Sequence, residues 1–316
     1  MKYFGTGRHK ARECDYAYNA TQMALQWDAL ATGEIKVMMA AQHEILNKPY
    51  GTTWITYTRC HDDIGLGYDD YMIEQAGMKP YEHRNYLKNY YSGNFPGSPA
   101  TGALFSSNPK TGDARISGSL ASLCGLEKAL ISNNTAAIDE AINKILLMQA
   151  QSFFIGGTPM LFYGDEIGYT NDYSYLEDAA KSYDNRWMHR PVIDWKKNNK
   201  RTKEGTIEER VFSATKRLLQ IRKQLPVFAD YSNLTWLTPH NSHVAAFVRS
   251  IDDKSVFCLF NFSNEKAYVT WYTFKEKGNA PTKVFDHWQQ REHVVGPDHE
   301  YLVMEPYAFC IMEPVD

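Results

Sequence analysis

Cysteine patterns that would indicate a disulfide framework or a zinc site are missing from this 316-residue sequence. Its five cysteines are an odd number, are widely spaced and form no Cys-x-x-Cys pair. Free buried thiols in a reducing compartment are the simplest interpretation, so we expect a cytoplasmic protein. The five positions are Cys14, Cys60, Cys124, Cys258 and Cys310.

Positive charge and long apolar runs are also scarce. The chain has 34 Lys and Arg against 37 Asp and Glu, a formal net charge of −3. A nucleic-acid-binding protein usually has a concentrated basic surface, so we expect no nucleic-acid partner. No apolar run reaches the 18 or more residues typical of a membrane-spanning helix, and we expect no membrane partner. The polar first 14 residues do not resemble a secretory signal peptide.

Hydrophobic and aromatic residues are abundant, at 43% and 14% of the chain. This hydrophobic fraction is sufficient for a sizeable core. Aromatic rings stack on the faces of sugars, but they also fill protein cores. Composition alone favours the core interpretation.

The first two-thirds of the chain alternates between strand-like and helix-like segments. After a polar loop over residues 1–19, residues 21–41 predict a short strand or turn followed by a helix. A long stretch over residues 66–116, rich in Gly, Pro, Asn and Tyr, predicts an extended loop, and loops of this length are usually functional. The alternation indicates an α/β fold with a parallel sheet. We expect strands within Gly51–Cys60 and Thr158–Tyr163, and helices over Ile116–Leu130, Thr135–Phe154 and Glu208–Gln224.

After Pro226 the pattern changes to short β-rich runs without intervening helices. Such closely spaced runs predict an antiparallel β-sandwich. We therefore expect two regions, an α/β region over residues 1–226 and a β-sandwich over residues 227–316. The runs are Leu234–Leu237, Val244–Arg249, Val256–Asn261, Tyr268–Phe274, Val284–Trp288 and Tyr301–Met312.

Polar clusters follow both predicted parallel strands. His61-Asp62-Asp63 follows the first, and Asp165-Glu166 follows the second. Catalytic residues of parallel α/β barrels lie at the carboxyl ends of strands, so these positions predict an active site. Carboxylates accept strong hydrogen bonds from sugar hydroxyls and stabilise an oxocarbenium ion. The alternatives are a surface turn that caps a helix for the first cluster, and a favoured structural role for the second.

A metal site is a weaker interpretation of the same cluster. His-Asp pairs also occur in metal-dependent phosphohydrolases, but those require further histidine ligands. No second histidine motif in this sequence has suitable spacing. We expect neither a metal nor an organic cofactor.

Two arginines lie in the loops that leave the predicted strands. Arg115 follows Asp113, and Arg186 lies between Asp184 and Trp187. A guanidinium group held in this way presents a fixed fork of donors for sugar hydroxyls. Loop salt bridges are an equally good interpretation.

The number of strand–helix units is too small for a closed barrel. A (β/α)8 barrel needs eight such units and about 250 residues. Only about three units precede residue 226. The region is therefore either a different α/β fold or part of a barrel.

Several of these motifs resemble the α-amylase superfamily, glycoside hydrolase family 13. The run Tyr57-Thr-Arg-Cys-His61-Asp62-Asp63-Ile-Gly65 is similar to its seventh-strand motif, in the extended form found in amylosucrases. Residues 157–168 resemble the eighth-strand motif, and residues 23–32 resemble the sixth-strand region. Residues 108–118 and 181–191 resemble amylosucrase loops. The resemblance extends from about residue 15 to the end of the chain.

The resemblance implies strands six to eight of a (β/α)8 barrel, with a loop insertion at about residues 66–116, followed by the β-sandwich. It implies a retaining glycosidase or transglucosidase that acts on sucrose or α-glucans. Asp62 corresponds to the transition-state stabiliser, and His61 to a substrate-binding histidine. Asp63 is implied to pair with Arg115 at the donor pocket, and Arg186 to contact the acceptor side.

The sequence departs from the family pattern at two catalytic positions. The motifs that carry the strand-four nucleophilic Asp and the strand-five acid/base Glu do not occur. We therefore expect this chain to be inactive alone. It could complement a separately encoded N-terminal barrel half, be a non-catalytic carbohydrate-binding remnant, or be a fragment from a broken gene.

Overall fold

The secondary structure comes from a computed structural model that describes residues 2–229, 232–278 and 280–315. These residues form fourteen strands and ten α-helices. The strands are β1 (Tyr16–Tyr18), β2 (Thr53–Thr56), β3 (Ile64–Gly65), β4 (Ala103–Phe105), β5 (Arg115–Ser117), β6 (Thr158–Pro159), β7 (Leu234–Trp236), β8 (Val244–Ile251), β9 (Lys254–Asn261), β10 (Ala267–Thr270), β11 (Lys283–Asp286), β12 (Arg291–Val294), β13 (Tyr301–Met304) and β14 (Phe309–Pro314). The helices are α1 (Ala20–Thr32), α2 (Lys36–Ala40), α3 (Gln42–Leu46), α4 (Asp70–Gln75), α5 (Pro80–Tyr91), α6 (Leu120–Leu123), α7 (Leu126–Ile131), α8 (Thr135–Phe154), α9 (Trp195–Asn199) and α10 (Ile207–Gln224).

A three-stranded parallel sheet lies at the centre of the α/β region. Its order is β1-β2-β6, and both pairings are parallel, as the alternating sequence pattern predicts. Tyr18 lies opposite Ile55, and Ile55 lies opposite Thr158. Within the part of the chain that the structure describes, β1 and β6 each pair only with β2.

The start of the α/β region differs from its prediction. A strand, β1, lies inside the predicted polar loop of residues 1–19, and α1 begins directly after it at Ala20, so the short strand or turn predicted at the start of residues 21–41 is helical instead. The Asn19 side chain caps this helix by accepting a hydrogen bond from the Gln22 amide at 3.0 Å. The three residues of β1 are too few to show the alternation of apolar and polar residues by which a strand is predicted.

The longest helices of this region match their predictions. Helix α8 has the predicted bounds, and α10 begins one residue earlier than expected. Asn134 caps α8 through the Ala137 amide, and Thr206 caps α10 through the Glu209 amide. The broad apolar face gives each helix a periodic sequence pattern, and the capping residue marks where the helix begins, so both could be predicted from sequence.

The predicted loop over residues 66–116 is largely structured. It contains α4, α5 and β4, and β4 joins β3 and β5 in an antiparallel sheet of order β3-β5-β4. Pro80 occupies the first turn of α5, where a missing backbone N–H costs nothing. Leu87 and Tyr91 of the same helix are buried.

The helix predicted over residues 116–130 is also interrupted. Its first residues belong to β5, and the remainder divides into α6 and α7. Gly125 separates the two helices at a φ of 100°, and a Cβ there would lie 2.8 Å from Pro99. Only glycine fits this conformation and this close approach.

The C-terminal region consists of antiparallel strands, as predicted. Strands β12-β11-β14-β9-β8-β7 form a six-stranded sheet in that order, and β10 and β13 form a two-stranded sheet. Val248 and Phe257 of the larger sheet share a buried cluster with Val269 and Leu302 of the smaller one. The six-stranded sheet therefore uses one face for this cluster. The sequence did not predict β12, and the end of the run predicted over residues 268–274 is a 3-10 helix.

The opposite face of the larger sheet packs against the α/β region. Phe247 and Phe260 lie in one continuous cluster with Trp27 of α1 and Phe153 of α8. All four side chains are almost fully buried. None of the helices in the described part of the chain is long and apolar enough to span a bilayer.

Candidate active site

An open cleft of about 710 Å³ is lined by β1 and by the segment that follows β2, residues 57–65. It is lined by all five side chains that the sequence nominates as site residues: His61, Asp62, Asp63, Arg115 and Arg186. Two of these residues reach the cleft from distant parts of the chain. The residues that follow β2, the insertion that carries Arg115 and the later loop that carries Arg186 therefore meet in one cleft.

Helix α1 fixes the segment that leads from β2 into the cleft. Gln26 donates a hydrogen bond from Nε2 to the Tyr57 carbonyl oxygen at 2.9 Å. Trp27 donates from Nε1 to the Thr58 carbonyl oxygen at 2.7 Å. Both side chains are fully buried, so the backbone just before His61 has a rigid support.

Asp62 carries an accessible carboxylate, with 51% of its side chain exposed. Its Oδ1 atom lies 3.1 Å from Nη1 of Arg186 and 3.6 Å from Nη2 of Arg190. Its Oδ2 atom lies 3.5 Å from Nε2 of His61. The two oxygens therefore have different surroundings, one beside two guanidinium groups and the other beside an imidazole.

Asp63 is buried beside its neighbour, with only 3% of its side chain exposed. Its Oδ2 lies 3.3 Å from Nη1 of Arg115, which is the pairing that the family resemblance implies. Its Oδ1 lies 4.0 Å from Nη1 of Arg186. Asp63 therefore holds the two arginines and does not present a free carboxylate to the cleft.

Arg186 is itself held by Asp184. Its Nε lies 2.9 Å from Oδ1 of Asp184, and its Nη2 lies 2.8 Å from Oδ2. Hydrogen bonds from this guanidinium lower the pKa of Asp184. The loop salt bridge weighed from sequence is thus present, and it leaves Nη1 directed at Asp62.

A buried ion pair that the sequence did not reveal joins the ends of β2 and β6. Arg59 donates from Nε and Nη2 to Oδ1 of Asp165 at 2.9 and 2.8 Å, and both side chains are almost completely buried. Burial raises the pKa of Asp165 to about 6, against the opposing effect of Arg59. The structural role favoured for Asp165 agrees with this contact. Glu166 instead accepts a hydrogen bond from the Gly164 amide at 2.7 Å.

Cys60, His61 and Asp62 are the group of potential metal ligands within the described part of the chain. Their ligand atoms all lie within 4.8 Å of one another. The guanidinium groups of Arg186 and Arg190 beside Asp62 oppose a divalent cation at this position. Burial also raises the pKa of the Cys60 thiol, which disfavours the thiolate that a metal requires.

The carboxylates of the cleft are too few for a retaining glycosidase. Among the described residues that line it, only Asp62 and Asp63 carry carboxylates. A retaining mechanism uses two carboxyl groups on opposite sides of the scissile bond, about 5–5.5 Å apart. Asp63 is buried and paired, so Asp62 alone is available to a ligand.

Comparison with solved structures shows the fold, whereas no family model matches the chain. A structure of AmyP in complex with maltotriose has a TM-score of 0.59 at 11% identity, over 98% of this chain and 52% of that chain. The α-amylase of Anoxybacillus has a TM-score of 0.52 at 10% identity, over 99% and 50%. A sucrose 6F-phosphate phosphorylase from Thermoanaerobacter thermosaccharolyticum has a TM-score of 0.54 at 14% identity, over 88% and 47%. The chain spans about half the length of these proteins, and the likeness shows that it shares their fold over that half.

Proposed function

We propose that this chain forms part of the active site of a retaining enzyme that acts on sucrose or α-glucans, with amylosucrase-like glucosyl transfer as its reaction. The observation that carries this proposal is the single accessible carboxylate, Asp62, at the end of β2 in a cleft with His61 and two arginines. In this proposal β1, β2 and β6 are strands six, seven and eight of a (β/α)8 barrel over residues 1–226. Residues 227–316 are a β-sandwich domain.

Asp62 would act by charge in this reaction. Cleavage of a glucosidic bond develops positive charge on the sugar ring, and a fixed carboxylate beside it lowers the energy of that state. Its Oδ2 and the exposed His61 imidazole would contact sugar hydroxyls, because Oδ1 is already engaged by Arg186 and Arg190. Arg115, with 59% of its side chain exposed, would bind hydroxyls on the donor side.

The nucleophile and the acid/base would come from polypeptide that carries the first five barrel strands. Among the described residues β1 and β6 pair only with β2, and barrel closure requires a further parallel strand beyond each of them, which supports this proposal. Tyr16 and Tyr18 of β1 are about half exposed, as expected of an edge that another strand covers. Free cysteines throughout support a cytoplasmic location.

A turnover assay tests the proposal. Glucose, fructose and glucan are followed with sucrose as substrate, for this chain alone, for a polypeptide encoded directly upstream, and for their mixture. We expect turnover only in the mixture, and glucan formation in excess of free glucose would identify transfer. Binding of maltotriose or sucrose without turnover in any arm would favour a non-catalytic carbohydrate-binding protein. Turnover by this chain alone would overturn the assignment of the missing carboxylates.

A further inference from the structure

One segment of the chain contacts both His61 and Asp62. It consists of Asp184, the 3-10 helix Asn185–His189 and Arg190, and we call it the clamp segment. Asn185 anchors it to the insertion, since it accepts a hydrogen bond from the Ser117 hydroxyl and donates one to the Leu104 carbonyl oxygen, both at 2.8 Å. The clamp segment is therefore fixed to β4 and β5.

The His189 ring lies between two backbone groups. Its Nδ1 accepts a hydrogen bond from the Gly118 amide at 3.0 Å, and its Nε2 lies 3.2 Å from the His61 carbonyl oxygen. A nitrogen that accepts carries no proton, so the proton of the neutral ring is on Nε2 and is donated to His61. Burial, together with the nearby charge of Arg59, lowers the pKa of His189 to about 3, so this neutral form holds at pH 7.

Arg190 contacts the same carbonyl oxygen. Its Nε donates a hydrogen bond to the His61 carbonyl oxygen at 2.5 Å, while its Nη2 lies 3.6 Å from Oδ1 of Asp62. The His189 carbonyl oxygen in turn accepts a hydrogen bond from Nη1 of Arg59 at 3.1 Å. Arg59 is bound to Asp165, so the contacts connect the clamp segment to the ends of both β2 and β6.

We propose that His189 and Arg190 are positioning residues for Asp62: their two hydrogen bonds to the His61 carbonyl oxygen fix the backbone from which the Asp62 carboxylate enters the cleft. This inference rests on the proposed function of Asp62. The peptide whose carbonyl is held by both donors is the one that joins His61 to Asp62. Rotation of that peptide would redirect the carboxylate, and small misplacements of a catalytic group are costly in rate.

Two substitutions of His189 separate the two sides of its ring. In His189→Gln the side-chain amide can place a donor where Nε2 lies, and the bond to His61 is retained. In His189→Asn the polar atoms lie near the Nδ1 position, so the contact with Gly118 can persist while the bond to His61 is lost. Arg190→Met removes the second donor, at a side chain that is 18% exposed.

The carbonyl ¹³C resonance of His61, measured on the full chain alone, reports these hydrogen bonds directly. We expect it to move upfield in His189→Asn and in Arg190→Met, and to stay near its original position in His189→Gln. An unchanged resonance in both donor-deleting variants would overturn the proposal. Thermal unfolding of each variant verifies that the chain is folded.

Turnover in the mixture with the upstream polypeptide gives the second readout. We expect His189→Asn to lower kcat by about 10- to 100-fold with little change in KM, and His189→Gln to restore most of the loss. Equal kcat in His189→Asn and the unsubstituted chain would overturn the positioning role. Absence of turnover from the unsubstituted pair would count against the proposed function alone, since the carbonyl shift is measured without turnover.

Discussion

The cleft and the C-terminal sheet are stabilised in different ways. Strands β8 and β9 pair over eight consecutive positions, whereas β1, β2 and β6 have four residues or fewer. Order in the C-terminal sheet comes from long runs of buried apolar side chains. Order at the cleft comes from polar contacts between residues far apart in sequence, such as Arg59 with Asp165 and Gly118 with His189.

This difference separates stability from function within one chain. The apolar clusters on both faces of the six-stranded sheet should dominate the free energy of unfolding, because buried apolar area is the main favourable contribution. The cleft keeps exposed charges at Asp62 and Arg115, which contribute little to stability. Substitutions in the two regions should therefore have distinct consequences.

The largest effect on stability is expected from Phe260→Ala. Phe260 is fully buried and stacks between Phe247 and Phe309, so its truncation leaves a cavity where the sheet meets the α/β region. We expect a loss of about 3–5 kcal/mol in the free energy of unfolding, measured by urea denaturation. Tyr268→Ala, at a half-exposed tyrosine of the same region, serves as the control and should change stability far less. Equal losses in the two variants would contradict the division proposed here.

A loss of about 3 kcal/mol is expected from Asp165→Leu, because Arg59 would then be buried without its counter-charge. Among substitutions near the cleft, this one should lower the free energy of unfolding most nearly as much as a core mutation does. The double variant Arg59→Met with Asp165→Leu removes both charges and should recover part of the loss in the same urea experiment. If adding Arg59→Met to Asp165→Leu lowered the free energy of unfolding further, by as much as a second core mutation would, loss of the ion pair would not explain the effect.

The smallest effect, taken per pH unit, is the pH dependence that His189 contributes. Its pKa is about 3 in the folded protein and near 6.5 when unfolded, so the unfolded chain binds the additional proton between these values. The contribution of His189 to stability should therefore fall as the pH drops from about 6.5 towards 3, by at most about 1.4 kcal/mol per pH unit. Urea midpoints measured at several pH values in this window, for the unsubstituted chain and for His189→Gln, test the prediction. The same acid sensitivity in both proteins would show that another group is responsible.

The same contrast explains what the sequence could predict. Helix α8 and strands β8 and β9 were predicted because local periodicity and β-rich composition determine them. Asp62 was predicted as a site residue because a polar cluster follows a predicted strand, and the structure places it in the cleft. These signals lie within short windows of the chain.

The remainder depends on contacts that local patterns do not encode. His189 and Arg190 act on a backbone carbonyl oxygen, and a carbonyl group leaves no signature in the sequence that provides it. Arg59 gains its role from Asp165, which is 106 positions away. Helix α5 was missed because Tyr and Asn are numerous in it and its apolar face is narrow, while burial of Leu87 and Tyr91 against the rest of the fold stabilises it.

The central claim is that Asp62 is the functional carboxylate of the cleft, and the most direct test is the effect of Asp62→Asn on kcat. The measurement uses sucrose turnover by the mixture of this chain with the upstream polypeptide, and Asp253→Asn, at an exposed carboxylate of the C-terminal region, is the matched control. The account predicts a fall in kcat of about 10²- to 10³-fold for Asp62→Asn, with an unchanged unfolding midpoint and full activity in the control. An active mixture whose kcat is unaffected by Asp62→Asn would contradict the account.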